Sequence, residues 1–188
     1  MPPGQGRVNR GPAAAADNRR AILTAARRLF AERGFHVPLS VVAKEARIGQ
    51  GVMYRHFPTR FDLAFAVFED HFEDLETAAS ATGPDAFHRL WAMLVEFTVD
   101  DAAFVEMVVD ARRNAPDYDG DRRLRALVDR ALATSHAAAT VDPALTTDTV
   151  LLAWRMCFGV VVTAPEPDAD VVHARVREAR ALLPADFR

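Results

Sequence analysis

Val37-Pro38-Leu39-Ser40-Val41-Val42-Ala43-Lys44-Glu45-Ala46-Arg47-Ile48-Gly49-Gln50-Gly51-Val52-Met53-Tyr54-Arg55-His56-Phe57 is the stretch that decides the fold. Its apolar residues recur at helical spacing, first Leu39, Val42, Ala43 and Ala46, then Met53 and Phe57. Pro38 suits the first position of a short helix. Arg47-Ile48-Gly49 reads as a turn, and Pro58 ends the second helix. Helices this short do not hold themselves together and persist only by packing. Val42, Ala43, Ala46, Ile48, Met53 and Phe57 supply that contact, and the small Ala43 and Ala46 allow close approach. Residues 38–57 therefore read as a helix-turn-helix.

The second of these helices has two faces. At about 100° per residue, Met53 and Phe57 share one face, and Arg55 points nearly opposite. Gly51 lies beside Arg55, Val52 and Tyr54 flank it, and Gln50 occupies the exposed first turn. A recognition helix presents such N-terminal residues to base edges in the major groove. Gly51 lets the backbone approach, Arg55 suits guanine and Gln50 suits adenine. Tyr54 and Arg60 suit phosphates, which fix register without reading sequence. The expected contacts with double-stranded operator DNA are Ser40, Arg47, Gln50, Gly51, Val52, Tyr54, Arg55 and Arg60.

Charge supports this placement. The net charge of −3 is unevenly spread. Residues 1–60 hold eleven Lys/Arg against three Asp/Glu, a net +8, and residues 61–188 carry a net −11. A basic module that meets a polyanion is thus joined to an acidic module that does not.

Upstream, residues 1–16 are rich in Pro, Gly and Ala with Arg7 and Arg10, and read as a disordered basic tail. Asp17 is the expected cap of a helix carrying Ile22, Leu23, Ala26, Leu29 and Phe30, which Gly34 stops. Downstream, Thr59 can cap a helix with Asp62 near its positive end. Further helices are predicted over 60–79, 85–99, 101–113, 121–139, 147–163 and 168–183. No segment alternates with period two, so the expected class is all-α. The expected division is a tail at 1–16, a helix-turn-helix domain at 17–62 and a helical domain for ligand binding and dimerisation at 63–188.

The segment from Ala21 to Leu63 resembles the DNA-binding domain of the TetR family of regulators. The resemblance lies in Ala25-Ala26-x-x-Leu29-Phe30-x-x-x-Gly34-Phe35, in Val42-Ala43-x-x-Ala46, and in Gly51-x-x-Tyr54-x-x-Phe57-x-x-Arg60-x-x-Leu63. It implies a homodimer on a partly palindromic operator, usually a repressor, released when a small molecule binds the C-terminal domain. Three positions depart from the pattern. Val37 stands where a Thr or Ser cap is usual, Arg47 replaces a common Gly in the turn, and Val52 replaces a common Thr.

Beyond residue 63, Phe61, Phe65, Phe68 and Phe72 form an aromatic stripe, as do Phe87, Trp91, Leu94 and Thr98. Such stripes serve either as plain core or as pocket lining. The resemblance implies a mostly apolar cavity among these helices, for an apolar or aromatic ligand. Its expected lining is Phe65, Phe68, Phe72, Trp91, Leu94, Thr98, Phe104, Met107, Val108, Trp154 and Phe158. The helix from Val150 to Val162 is apolar nearly all round and needs cover on every side. By resemblance the last two helices form the dimer interface, through Val150, Arg155, Val162, Val172, Val176, Ala179 and Leu183. Arg155, a charge in an apolar helix, is expected to pair with an acid across that interface.

Other functions find little support in the residues. The six His show no i, i+4 pair and Cys157 is the sole cysteine, so neither a metal site nor a disulfide is expected. No catalytic motif or phosphate loop stands out, so no enzyme activity and no cofactor are expected. No membrane span is expected, and the location expected is the cytoplasm. The alternative function is a DNA-binding interaction protein that works through a protein partner, without a small-molecule ligand.

Overall fold

The computed structural model of the chain describes residues 11–115, 117–164 and 169–188. Among these residues the secondary structure is helical, as the patterning predicts, and no strand is found. Contacts fall into two compact units, one ending at Val67 and the other beginning at Phe68.

The first unit is built from α1 (Gly11–Arg33), α2 (Leu39–Glu45), α3 (Gln50–His56) and the start of α4 (Arg60–Ala79). Helix α1 reaches back to Gly11, so residues 11–16 are helical. Residues 1–10 lie outside the described residues. Asp17 is an interior helical residue that pairs with Arg20. At the other end Gly34 adopts φ 77°, a left-handed conformation that costs glycine little, and its N–H bonds to the Phe30 carbonyl. The core comprises Ile22, Ala26, Leu29, Phe30, Phe35, Val42, Ala43, Met53, Phe57 and Leu63.

Two departures from the family pattern have structural counterparts. Val37 is buried, and α2 begins without a side-chain cap, so the site contributes apolar burial in place of a hydrogen bond. Pro38 occupies the cap position with ψ 140°, and Leu39 opens the helix. Arg47 has φ 56°. Its N–H bonds to the Lys44 carbonyl and the Ile48 N–H reaches back to Ala43, the paired bonds of a Schellman ending. A side chain there is strained, by roughly 1–2 kcal/mol. Arg47→Gly is therefore expected to stabilise the first unit by up to about 1 kcal/mol, since glycine's greater freedom in the unfolded chain offsets part of the gain. Urea unfolding checks this, and a loss of stability would show that the arginine side chain more than compensates its backbone.

Helix α4 opens on a capping box. The Thr59 N–H and hydroxyl both donate to Asp62, at 2.8 and 2.7 Å, and the Asp62 N–H donates back to the hydroxyl at 3.1 Å.

The second unit centres on α5 (Ala86–Asp100), which packs against α6 (Ala102–Asn114), α7 (Gly120–Ala137), α8 (Thr147–Val162) and α9 (Ala169–Ala181). These helices match the predicted segments to within a residue or two at each end. A short 3-10 turn, Ala185–Phe187, was not expected; it returns to α5 and buries Phe187. Asp101 caps α6 through the Phe104 N–H, and Thr146 caps α8 through the Thr149 N–H. The fully buried Ser135 hydroxyl accepts from the Phe87 N–H and donates to the Pro84 carbonyl, so its polar atom is satisfied.

Candidate nucleic-acid interface

Helix α3 is seven residues long and starts at Gly49 without a side-chain cap. Its position is set by packing. Met53 and Phe57 are buried, and the Arg19 guanidinium of α1 lies 4.8 Å from the centre of the Phe57 ring. The opposite face is free: Gln50, Gly51, Tyr54 and Arg55 are exposed and Val52 is half-buried. Tyr54 keeps half of its surface open to solvent, at 50%. A Cβ at Gly51 would meet nothing within 4 Å, so the glycine is not required by neighbouring side chains.

The other expected contacts are positioned differently. Ser40 in the first turn of α2 and Arg47 after its last turn are exposed. Arg47 borders an open cleft of about 580 Å³ with Arg20, Thr24, Arg28 and Glu45, where Arg28 pairs with Glu45 to tie α1 to α2. Arg60 is half-buried: its guanidinium carbon lies 5.4 Å from the centre of the Phe35 ring, and its Nη1 is 3.0 Å from His36 Nδ1. A second cleft, of about 440 Å³, is lined by Ala14, Ala15, Asn18, Arg55 and His56. It places the extended start of α1 beside the recognition helix. Asn18, Arg19 and His36 were not anticipated, because each joins this surface through contacts distant in sequence.

A family of bacterial regulatory proteins, the tetR family, matches residues 22–67, which hold the whole helix-turn-helix and the start of α4. Residues 22–67 therefore carry a TetR-type helix-turn-helix domain. It is 28% identical over 109 residues to an HTH-type transcriptional regulator of Staphylococcus aureus strain USA300, covering 50% of this chain and 55% of that protein. The chain thus spans about half the length of the curated relatives it matches. Among solved structures it is similar to SmeT, the repressor of the Stenotrophomonas maltophilia multidrug efflux pump SmeDEF. The TM-score is 0.61 at 19% identity, covering 92% of this chain and 95% of that one. It is also similar to RolR in complex with the ligand resorcinol, with a TM-score of 0.59 at 22% identity and 89% of each chain covered. At those identities the likeness is one of fold.

The second unit distributes its aromatic residues over distinct clusters. Phe68 and Phe104 meet edge to face at 5.5 Å, with Phe72 6.4 Å from Phe104. His71 joins them, 4.2 Å from the Phe97 ring, and faces Asp101 at 3.4 Å. Separately, the Trp154 and Phe158 rings meet in a tilted contact at 5.3 Å. Its indole N–H donates to Thr98 at 2.9 Å, and the Thr98 hydroxyl donates to the Leu94 carbonyl at 2.7 Å. Arg112 covers both rings at 5.4 and 5.7 Å while holding Asp121. Met107 and Val108 are buried on α6. Two of the expected lining residues have other surroundings. Trp91 packs on Phe187 and donates to its carbonyl, and Phe65 lies in the first unit, stacked 6.0 Å from Phe61. An open cleft of about 470 Å³ lies nearby, lined by Arg112, Arg113, Asn114, Tyr118 and Asp121. There burial and the neighbouring Asp121 push the Tyr118 hydroxyl up to about 12, against the opposing effect of Arg112, so it stays a neutral donor at pH 7.

Of the residues expected at a dimer interface, Arg155 and Val162 are exposed on α8. Val150, Val172, Val176 and Leu183 are buried within the chain's own core, where α5, α8 and α9 meet. Ala179 is half-buried. The exposed apolar residues are Leu152, Met156 and Val162 on α8, Val171 on α9, and Leu182 just beyond it. Arg155 is exposed on the same outer side of α8. No helix among the described residues is long and apolar enough to cross a membrane.

Proposed function

We propose that the chain is a cytoplasmic transcriptional regulator that binds a partly palindromic operator as a homodimer, represses, and is released by a mostly apolar small molecule. The observation that carries this reading is the exposed Gln50-Gly51-Tyr54-Arg55 face on a helix whose other side is locked by Met53 and Phe57. Two subunits would set their recognition helices about 34–36 Å apart, in successive major grooves. The exposed Leu152, Met156, Val162, Val171 and Leu182 support dimerisation, because solvent is a poor environment for an apolar face of this kind. The aromatic clusters around Phe104 and Trp154 support a small-molecule site lined by Phe68, Phe72, Leu94, Thr98, Phe104, Met107, Val108, Trp154 and Phe158. The resorcinol held by RolR and the efflux-pump control exerted by SmeT agree with it.

Selection of bound duplexes from random DNA tests the reading directly. A palindromic consensus is expected. Arg55→Ala is expected to relax preference at one base position of each half-site, at a cost of roughly 1–3 kcal/mol. An equal loss on every sequence would place Arg55 on phosphate alone. Recovery of no consensus would overturn the regulator.

A further inference from the structure

We infer that His36 and Arg60 form a proton-coupled phosphate-binding pair, so that binding DNA draws a proton onto His36. The inference rests on the DNA-binding reading above and adds a residue and a linkage to it.

The chemistry follows from one contact. Arg60 Nη1 lies 3.0 Å from His36 Nδ1. A guanidinium donates hydrogen bonds and accepts none. The contact is therefore a hydrogen bond only when His36 is neutral, with its proton on Nε2 and a lone pair on Nδ1. Protonating His36 removes the acceptor and sets two cations against each other. A second donor of the same guanidinium, Arg60 Nε, is buried without a hydrogen-bond partner, so the group is under-satisfied within the protein. Asp62, the nearest acid in sequence, is engaged by the Thr59 N–H and hydroxyl. The groups found against the His36 ring are the Arg60 guanidinium from α4 and the Phe35 ring at 5.2 Å. Among the described residues no Asp or Glu forms an ion pair with His36, so the protein offers no local anion to stabilise the charged ring.

A DNA phosphate supplies what is missing. Its oxygens accept from Arg60 in place of Nδ1, and a protonated His36 then becomes a second donor to the same anion. In the free protein the Nδ1 contact with Arg60 needs the neutral ring, whereas in the complex the phosphate takes the bonds of both side chains and favours the protonated one. A ligand that binds the protonated form better must raise protonation, and by linkage protonation must raise affinity.

The test is fluorescence anisotropy with a labelled duplex recovered by the selection above, at constant ionic strength, from about pH 8 down to about pH 6. The full-length protein is expected to gain several-fold in affinity, with a ceiling of about tenfold per pH unit for one proton. His36→Gln keeps a neutral acceptor for Arg60 and is expected to bind like the parent at the upper pH and to lose most of the gain. His36→Lys, permanently charged, is expected to bind tightly throughout with a flat profile. His56→Gln serves as the control on the recognition helix and is expected to retain the slope. A parent profile without slope, or a slope that survives in His36→Gln, overturns the pair. Failure to bind DNA at any pH would instead overturn the DNA-binding reading itself. Matching circular dichroism melts for the variants separate loss of contact from loss of fold.

Discussion

Phe57→Ala is expected to abolish sequence-specific DNA binding and to destabilise the first unit by about 3–5 kcal/mol. The ring is 2% exposed and sits directly after the last turn of α3, where its own N–H bonds to the Met53 carbonyl. Helix α3 has seven residues and no side-chain cap at Gly49, so it has little helical stability of its own. Its orientation depends on two side chains, Met53 and Phe57. Truncating Phe57 leaves a cavity beneath the recognition helix and removes the face over which the Arg19 guanidinium lies. Gln50, Gly51, Tyr54 and Arg55 then lose the fixed arrangement that base recognition requires, although none of them has changed. Binding to the selected duplex should fall to the level seen with random DNA, and amide exchange in α3 should quicken ahead of exchange in α1. Phe57→Leu, which refills most of the volume, should restore much of both. Full affinity in Phe57→Ala would mean that DNA, and not the core, orders the recognition helix.

That dependence explains why the exposed face of α3 was legible in the sequence. A short amphipathic helix exposes whatever its core face does not use, and Met53 and Phe57 fixed that face by spacing alone. The remaining surface was less legible, for separable reasons. The start of α1 was read as a tail because Pro and Gly dominate its flank, yet Ala13 to Ala16 have the highest intrinsic helix propensity and extend the helix to Gly11. The His36–Arg60 contact spans a loop and two helix junctions, and no periodicity reports on it. Helix α8 failed for the opposite reason. It is apolar nearly all round, so its pattern does not say which side packs on α5. Arg155 held the answer, since an exposed charge marks the outward side. Val150 lies on the side packed into the chain's own core, and Leu152 and Met156 lie on the side of Arg155. Trp91 shows a further limit. Its stripe with Phe87 and Leu94 was correctly placed on one helix face, but its partner lies almost a hundred residues away, in a turn with no amphipathic signature.

That turn has an energetic consequence out of proportion to its length. Phe187→Ala is expected to destabilise the second unit by about 3–5 kcal/mol, as much as losing a central core residue. The Phe187 ring is fully buried, 4.9 Å from Trp91 and 6.0 Å from Phe87, both edge to face. Its carbonyl accepts from the Trp91 indole at 3.0 Å and from Arg180 Nε at 2.9 Å. One residue thus ties α5 to α9, through its ring on one side and its backbone oxygen on the other. The alanine variant keeps the carbonyl but not the ring that holds it in place. The Trp91 N–H then loses a fixed acceptor within a buried site, which adds to the cavity cost. Near-ultraviolet circular dichroism should report this as a weakened tryptophan band, which Trp91→Phe alone should reproduce if Trp91 is its source. Phe187→Leu should recover part of the stability, because it refills volume without restoring the edge-to-face contacts. Since α8 and α9 carry the exposed Leu152, Met156 and Val171, a loosened α9 should also weaken self-association, measured by sedimentation, while the helix-turn-helix retains its fold. A loss below about 1 kcal/mol, the range of an ordinary surface change, would show that the turn merely rests on α5 and that Trp91 is held by its own helix.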